Sequence, residues 1–127
     1  HLKYTWEFIE IFCKESQKKE GNRELIDITG QEFKKWIDAH WIIQPEVSMS
    51  KYNHPAMFPE ELVMRLLKLF SYQCDVVLDP FNGVGTTTAV AFRLNRHFVG
   101  VDISEQYCET ARARLERERR KKEMSLF

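Results

Sequence analysis

The sequence predicts an α/β fold in which helices flank a partial parallel sheet, and three observations in its second half carry this prediction. Residues 75–79, DVVLD, and residues 98–102, FVGVD, are short runs rich in β-branched residues, as strands are. Residues 86–95 between them predict a helix. Strand, helix and strand in direct succession form a βαβ unit, and the two strands of such a unit are parallel.

The first part of the chain predicts a strand, a loop, a short helix and an irregular stretch. Residues 3–14, KYTWEFIEIFCK, are rich in aromatic and β-branched residues, so a strand is expected there. Residues 14–24 are polar and charged, as exposed loops are. Residues 30–44 place three apolar side chains at helical spacing, and residues 45–55 have a proline at each end that interrupts regular structure. The three spaced side chains are Phe33, Trp36 and Ile37.

Two further helices flank the βαβ unit. One is predicted to begin at Pro59, because proline suits the first helical position and Glu60 and Glu61 then lie near the positive end of the helix dipole. Its buried stripe is predicted to comprise Leu62, Val63, Leu66, Leu67 and Phe70. The other follows Ser104, whose hydroxyl suits an N-cap, and leads into a charged tail at 117–127. One face of that last helix carries Tyr107, Cys108, Ala111 and Leu115.

Composition limits the class of protein. The 127 residues suffice for one domain or part of one. Lys plus Arg and Asp plus Glu both total 19, so the net charge favours no partner. Cys13, Cys74 and Cys108 lie far apart without metal-ligand spacing, which predicts a reduced, intracellular protein of the cytoplasm with no metal site. No apolar run is long enough to span a membrane and no signal peptide is visible, so no membrane partner is expected.

The loop between the first predicted strand and its helix has the features of a ligand site. Gly83 and Gly85 allow backbone angles that side chains forbid and let a ligand approach the main chain. The free N–H groups of the following helix begin near Thr86 and Thr87, where they favour a carboxylate or a phosphate. Asp102 ends the second strand, where an acidic group can accept both hydroxyls of a ribose. The predicted ligand therefore carries a ribose and lies at the carboxyl edge of the sheet.

Three other interpretations of this loop stay open on the residues alone. A dinucleotide fingerprint requires Gly or Ala where Thr88 stands, and a Walker loop requires a terminal GK[ST] that is absent, so both phosphate sites fit less well. The third interpretation is a tight turn with a buried or capping Asp102 in a βαβ unit that binds nothing.

Three segments resemble a known family. HPAMFPEEL (54–62), DVVLDPFNGVGTTTAVA (75–91) and RHFVGVDISEQYCETARARL (96–115) resemble the S-adenosylmethionine-dependent DNA amino-methyltransferases, which methylate adenine N6 or cytosine N4. The order of the motifs is similar to the subgroup in which the cofactor half comes last. KYTWEFIEIFCK is similar to that family's strand before its recognition region, and EFKKWIDAHWIIQPE to its linking segment.

The resemblance implies a single, partial methyltransferase domain of Rossmann-like fold over residues 1–127. Within it, 1–14 would be a sheet strand and 15–53 a short linking segment left from the recognition region. Residues 54–116 would hold the cofactor-binding motifs, and 117–127 would be the charged tail.

The resemblance also implies roles at the S-adenosylmethionine site. Asp79 would face the methionine amino group, with Phe81, Gly83 and Gly85 wrapping that end. The cofactor carboxylate would meet the amides and hydroxyls of Thr86 and Thr87. The adenosine end would be bound by Asp102 through the ribose hydroxyls and by Ile103 against the adenine ring, while a neighbouring segment would line the cofactor with His54, Pro55, Ala56 and Phe58.

Two of these residues are aromatic and have a further expected effect. The cofactor's sulfonium is a cation, so the ring of Phe58 or Phe81 would contribute about 1 kcal/mol. For Phe58, packing against its own helix is the alternative, and for His54 it is a hydrogen-bonded structural role.

The catalytic motif that the resemblance requires is absent. That family uses an Asp, Asn or Ser followed by Pro-Pro and an aromatic residue to accept the amine's hydrogen bonds and to stack on a flipped base. The four prolines of this chain are never adjacent, so no catalytic residue is expected here. The catalytic half would then lie in a longer chain, which the first residue, His1, favours, or in a second polypeptide.

Double-stranded DNA is the partner that the resemblance implies, but the sequence offers it few contacts. The basic residues of the last helix fit a solvated helix end better than a phosphate-binding surface. They are Arg112, Arg114, Arg117, Arg119, Arg120, Lys121 and Lys122. A non-catalytic cofactor-binding subunit and a dinucleotide-dependent oxidoreductase remain the alternatives to a methyltransferase.

Overall fold

A computed structural model of the chain describes residues 6–16, 18–38, 40–45 and 57–126. It contains four α-helices, two β-strands and a single 3-10 turn at Arg23–Leu25 within those ranges. In chain order the elements are α1 (Gly30–Trp36), α2 (Glu60–Phe70), β1 (Val76–Asp79), α3 (Thr86–Arg93), β2 (His97–Gly100) and α4 (Glu105–Met124). None of the described helices has the length and hydropathy of a membrane span.

The two strands pair in parallel, which confirms the predicted βαβ unit. Val76 lies opposite His97 and Asp79 opposite Gly100. Helix α3 contacts both strands and also packs against α2 and α4, so it forms the centre of the domain. The buried apolar residues come mainly from α3 and the helices beside it: Val63, Val84, Ala89, Val90, Ala91 and Ala111.

Glu60 joins α2, α3 and α4, which form the helix layer of the domain. It is the first residue of α2, and its carboxylate accepts hydrogen bonds from Arg93 of α3 and from Arg114 of α4, each at 2.5 Å. Pro59 occupies the N-cap position, one residue before the helical position that the sequence predicted. Because the Arg114 side chain is almost fully buried, this carboxylate is its counter-charge inside the helix layer.

The buried stripe predicted for α2 is partly wrong. The structure buries Val63 and Arg65, whereas Phe70 is exposed. The guanidinium of Arg65 lies 5.7 Å from the ring centroid of Trp36 and 5.4 Å from that of Trp41, so two tryptophans shield it from solvent. Phe70 instead borders an apolar cleft that is open to solvent between α2 and the N-terminal segment.

The strand predicted at 3–14 is not a strand over its described residues, 6–14. A strand is held by hydrogen bonds to a neighbouring strand, and neither β1 nor β2 pairs with this segment. Its side chains Trp6, Phe8 and Phe12 are exposed. Composition favours a strand here, but pairing decides whether one forms.

Helix α1 is shorter than the 30–44 range in which it was predicted. It begins with a capping box, in which Thr29 and Glu32 satisfy each other's backbone N–H groups. It ends at Trp36, whose carbonyl accepts a hydrogen bond from the Trp41 indole N–H at 2.9 Å. Of the three apolar side chains predicted at helical spacing, Trp36 is buried, while Phe33 and Ile37 are exposed.

Helix α4 begins as predicted but continues further. The Ser104 hydroxyl accepts a hydrogen bond from the Tyr107 N–H, which confirms the predicted cap. The charged segment from 117 onward is not a separate tail, because the helix runs through it to Met124. Ion pairs between residues one turn apart, Glu116 with Arg119 and Glu118 with Lys121, stabilise these last turns.

A buried ion pair fixes the segment before α1 to the domain. The side chain of Arg96, directly before β2, is fully buried and forms a two-pronged pair with the Asp27 carboxylate. Lys19 similarly pairs at 2.7 Å with Asp75, directly before β1. Residues 18–29 therefore lie at the amino edge of the sheet, opposite the edge where the glycine loop begins.

Asp27→Asn is expected to lower the free energy of unfolding by roughly 3 kcal/mol, because it leaves the buried Arg96 without a counter-charge. Chemical denaturation at neutral pH measures the change. Asp38→Asn removes the same charge from an exposed position and is the matched control. An equally small effect of both substitutions would contradict the anchoring role of Asp27.

Glu60 is expected to make stability dependent on pH. Burial raises the pKa of Glu60, but hydrogen bonds and charge from Arg93 and Arg114 outweigh burial and lower its pKa below the ordinary 4.5. A carboxyl with a depressed folded-state pKa stabilises the fold above its unfolded pKa, and this contribution is lost as pH falls through the folded pKa. Glu60→Gln should therefore destabilise the protein at neutral pH, by an amount that shrinks as pH falls below 4.5.

Thermal unfolding of both proteins as a function of pH measures this convergence. Glu109→Gln, which removes a charge from the exposed surface of α4, is the control. A difference between wild type and Glu60→Gln that stays constant down to acid pH would contradict the prediction.

Candidate functional site

The glycine loop, residues 80–85, follows Asp79 at the carboxyl end of β1 and leads directly into α3. The Asp79 carboxylate accepts a hydrogen bond from the Phe81 N–H at 2.9 Å, which closes the first turn of the loop. Gly83 and Gly85 both have positive φ, at 51° and 82°, as the sequence predicted for residues that need glycine. The Gly85 N–H donates to the Asn82 carbonyl at 2.9 Å and closes the second turn.

Asp102 lies beside this loop, two residues after β2 ends at Gly100, so it follows the strand and does not end it as the sequence predicted. One of its carboxylate oxygens accepts the Gly83 N–H and the other accepts the Ser104 N–H, both at 2.8 Å. The loop is also bonded directly to the strand end, because the Asn82 N–H donates to the Val101 carbonyl at 2.9 Å. The structure thus brings together the glycine loop and the acidic residue, which are separated in sequence.

The amino end of α3 points into the same site. Gly85 is its N-cap and no side chain caps this end, so the first amides of the helix, at Thr86 and Thr87, are oriented as an anion-binding helix start. The Thr86 side chain is buried, and its hydroxyl accepts a hydrogen bond from Arg114 at 3.1 Å. The amide of Thr86 therefore fits the predicted carboxylate contact better than its hydroxyl, which is engaged by α4.

Exposed apolar side chains border the site on both sides. Phe81, in the loop, is 87% exposed, and Ile103, directly after Asp102, is fully exposed. Phe58, before α2, is also exposed, but it lines the apolar cleft with Leu62 and Leu66 of its own helix and is not shown to border this site. Large apolar side chains exposed next to a half-buried carboxylate are suited to contact with a ligand ring. His54, Pro55 and Ala56 lie outside the described residues.

Two residues of the site were missed by the sequence analysis. Arg114 looked like one of several surface arginines, and nothing in the sequence distinguishes it from them. Asn82 directly precedes Gly83 in the loop, and its side chain lies against Gly100. A glycine inside a strand often marks a close approach by another part of the chain, and Gly100 was that signal.

Several charged side chains near the site pair with other groups of the same chain. Within the described part of the chain, no group of three His, Cys, Asp or Glu residues could hold a metal ion. On α4, Arg119 and Lys121 pair with glutamates of the same helix, and Lys122 donates to the Asn95 side chain at 2.8 Å. These pairings fit the solvated helix end that the sequence favoured over a phosphate-binding surface.

Comparison with known proteins gives a family match and relatives of known structure. Residues 1–113 match the N6/N4 methyltransferase family model, described as DNA methylase. The orphan methyltransferase M.BamHII of Bacillus amyloliquefaciens is 34% identical over 93 residues, which cover 73% of this chain and 35% of that protein. The type II methyltransferase M.MjaI of Methanocaldococcus jannaschii is 36% identical over 109 residues, covering 78% and 35%. This chain thus spans about a third of these relatives.

Two solved structures share the fold. One is a protein of Thermus thermophilus, TTHA0409, described as a DNA modification methylase and complexed with S-adenosyl-L-methionine. It superposes with a TM-score of 0.67 at 31% identity and covers 81% of this chain and 40% of that one. The other is M1.HpyAVI in complex with SAM, with a TM-score of 0.54 at 32% identity over 58% of this chain and 36% of that one. The fold is therefore the predicted Rossmann-like methyltransferase fold, present in part.

Gly85→Ala is expected to destabilise the protein by about 1–2 kcal/mol from its left-handed backbone alone. The new Cβ would also lie 2.8 Å from the Cβ of Ala111, so α3 and α4 would have to separate. Gly30→Ala is the matched control, because φ there is not positive and no atom lies within 4 Å of the new Cβ. Denaturation of both variants measures the difference, and equal stability would contradict the tight junction of loop and helix.

Proposed function

The chain belongs to the N6/N4 DNA methylase family, and from that premise we propose that it is the S-adenosylmethionine-binding part of a site-specific DNA methyltransferase. The target is adenine N6 or cytosine N4, the setting is a restriction-modification or similar system, and the substrate is double-stranded DNA inside the cell. The observation that carries this proposal is the junction of the glycine loop, the start of α3 and Asp102 at one edge of the sheet.

The residues present fit the cofactor along its length. The uncapped amides of Thr86 and Thr87 suit the methionine carboxylate, and Asp79 at the end of β1 suits the amino group. The Asp102 carboxylate, oriented by the Gly83 and Ser104 N–H groups at the edge of the loop, is the proposed acceptor for the ribose hydroxyls. The exposed Ile103 suits the adenine ring. The Thermus thermophilus protein, crystallised with S-adenosyl-L-methionine, supports this assignment.

In the reaction, the cofactor supplies a methyl group bound to a positively charged sulfur. This chain's residues bind and orient it. The ring of Phe81, or of Phe58, would face the sulfonium and contribute about 1 kcal/mol of cation–π attraction. The loop bonds from Asp79 and Asp102 fix the backbone before the cofactor arrives, so little reorganisation is needed.

The catalytic half is proposed to come from elsewhere, either from a longer chain or from a partner polypeptide. Attack by an exocyclic amine requires polar acceptors for its protons and an aromatic surface for the flipped base, and the motif that would supply them is absent from this sequence. The structure offers a surface for that half. Val76, Leu78, Val99 and Val101 are exposed on the sheet face away from α3, whereas parallel sheets are normally covered on both faces.

Asp102→Ala is expected to weaken S-adenosylmethionine binding by roughly 1–3 kcal/mol, because it removes the proposed ribose acceptor. Isothermal titration calorimetry on the protein with its catalytic half measures the affinity. Glu105→Gln, an exposed carboxylate three residues further on, is the control and should bind normally.

Calorimetry, thermal unfolding with each ligand and a methyl-transfer assay together separate the competing functions. Unchanged affinity in Asp102→Ala would contradict the site, and thermal protection by NAD instead of S-adenosylmethionine would favour a dinucleotide enzyme. Cofactor binding without methyl transfer, in the presence of the catalytic half, would favour a non-catalytic subunit. Methyl transfer by this chain alone would contradict the proposal that the catalytic residues come from another half.

A further inference from the structure

Asn82 holds the middle of the glycine loop through both its backbone and its side chain. Its N–H donates to the carbonyl of Val101, the residue directly after β2, and its own carbonyl accepts the N–H of Gly85, both at 2.9 Å. The loop is thereby tied to the sheet on one side and to the start of α3 on the other.

The side chain of Asn82 is pressed against the second strand. A Cβ built on Gly100 would lie 2.5 Å from the Asn82 Nδ2 and 2.6 Å from its Cγ, and 2.9 Å from the Cγ2 of Thr88. Only a residue without a side chain fits at that strand position. The Asn82 side chain thus occupies the space that a side chain at position 100 would need, and we call the two residues a size-matched pair. Their contact sets the distance between the loop and the sheet.

The oxygen of the Asn82 side-chain amide, Oδ1, is buried and is not held by a hydrogen bond within the described part of the chain. A buried amide oxygen without a partner costs stability, and such groups in folded proteins call for another reason to be kept. The shape of the side chain, wedged between the loop and β2, supplies that reason.

We propose that Asn82 is a positioning residue for the methionine end of the cofactor. Its neighbours in the loop are Phe81 and Gly83, which line that end in the proposed function on which this inference rests. The adenosine end depends instead on the side chain of Asp102 and on Ile103, which follow the strand. The Ser104 N–H, which lies outside the loop, also holds the Asp102 carboxylate. A loop that loses the Asn82 side chain should therefore displace the methionine contacts much more than the adenosine contacts.

Two ligands separate these ends: S-adenosylmethionine, which has both, and adenosine, which lacks the methionine end. Calorimetry on the protein with its catalytic half is expected to show about tenfold weaker S-adenosylmethionine binding by Asn82→Ala. Its adenosine affinity should stay within about twofold of wild type. Asn22→Ala, which removes a cap from the remote 3-10 turn, is the matched control and should change neither affinity.

A double-mutant cycle tests the size match between the two residues. Gly100→Ala alone should weaken S-adenosylmethionine binding because its methyl group displaces Asn82. In Asn82→Ala/Gly100→Ala the methyl group gains space, so the combined loss should be smaller than the product of the single losses. Asn82→Ser, a smaller polar change, replaces Asn82→Ala in both tests if the alanine variant unfolds.

Three results would overturn the inference. Equal losses for S-adenosylmethionine and adenosine would show that Asn82 only stabilises the fold. Multiplicative losses in the double variant would show that the pair is not matched. Wild-type protein that binds adenosine but not S-adenosylmethionine would overturn the proposed function, and the inference with it.

Discussion

The carboxylate of Asp102 is the interaction on which the geometry of the site depends. It accepts one backbone N–H from the glycine loop and another from the start of the α4 segment, so a single side chain joins three parts of the chain. Two hydrogen bonds to backbone N–H groups hold the carboxylate in one orientation. Its position just after a parallel strand places it beside the end of the neighbouring strand, where the loop begins. The backbone geometry at this edge is thus fixed by the chain's own hydrogen bonds.

The helix layer supports that edge through charges placed inside it. Glu60 binds arginines from α3 and α4, and one of these, Arg114, continues to the Thr86 hydroxyl at the first turn of α3. The start of α3 is therefore linked through Arg114 to the start of α2. Removing the partner of a buried arginine leaves an uncompensated charge, so Arg114 depends on Glu60 to remain in this position.

Local patterns predicted the part of the molecule that is local in sequence. The βαβ unit, the glycine loop and the Ser104 cap follow from short-range spacing, and the approach of Asp102 to the loop follows from the parallel order of the strands. The contacts that sequence reasoning missed join distant residues: Arg96 meets Asp27 across 69 positions and Arg114 meets Glu60 across 54. The strand predicted at 3–14 was wrong over its described residues for the same reason. A strand needs a neighbouring strand to pair with, and composition does not reveal whether one is present.

The open face of the two-stranded sheet has a consequence for how the protein is made. The βαβ unit has mostly local contacts, so it is able to form early in folding. Once formed, it presents the exposed side chains of Val76, Leu78 and Val99 to solvent. Exposed apolar sheet surface and unpaired strand edges promote aggregation. The protein is therefore most prone to aggregation after this unit has formed and before another segment covers its exposed face. Covering segments synthesised earlier in the same chain would shorten this interval.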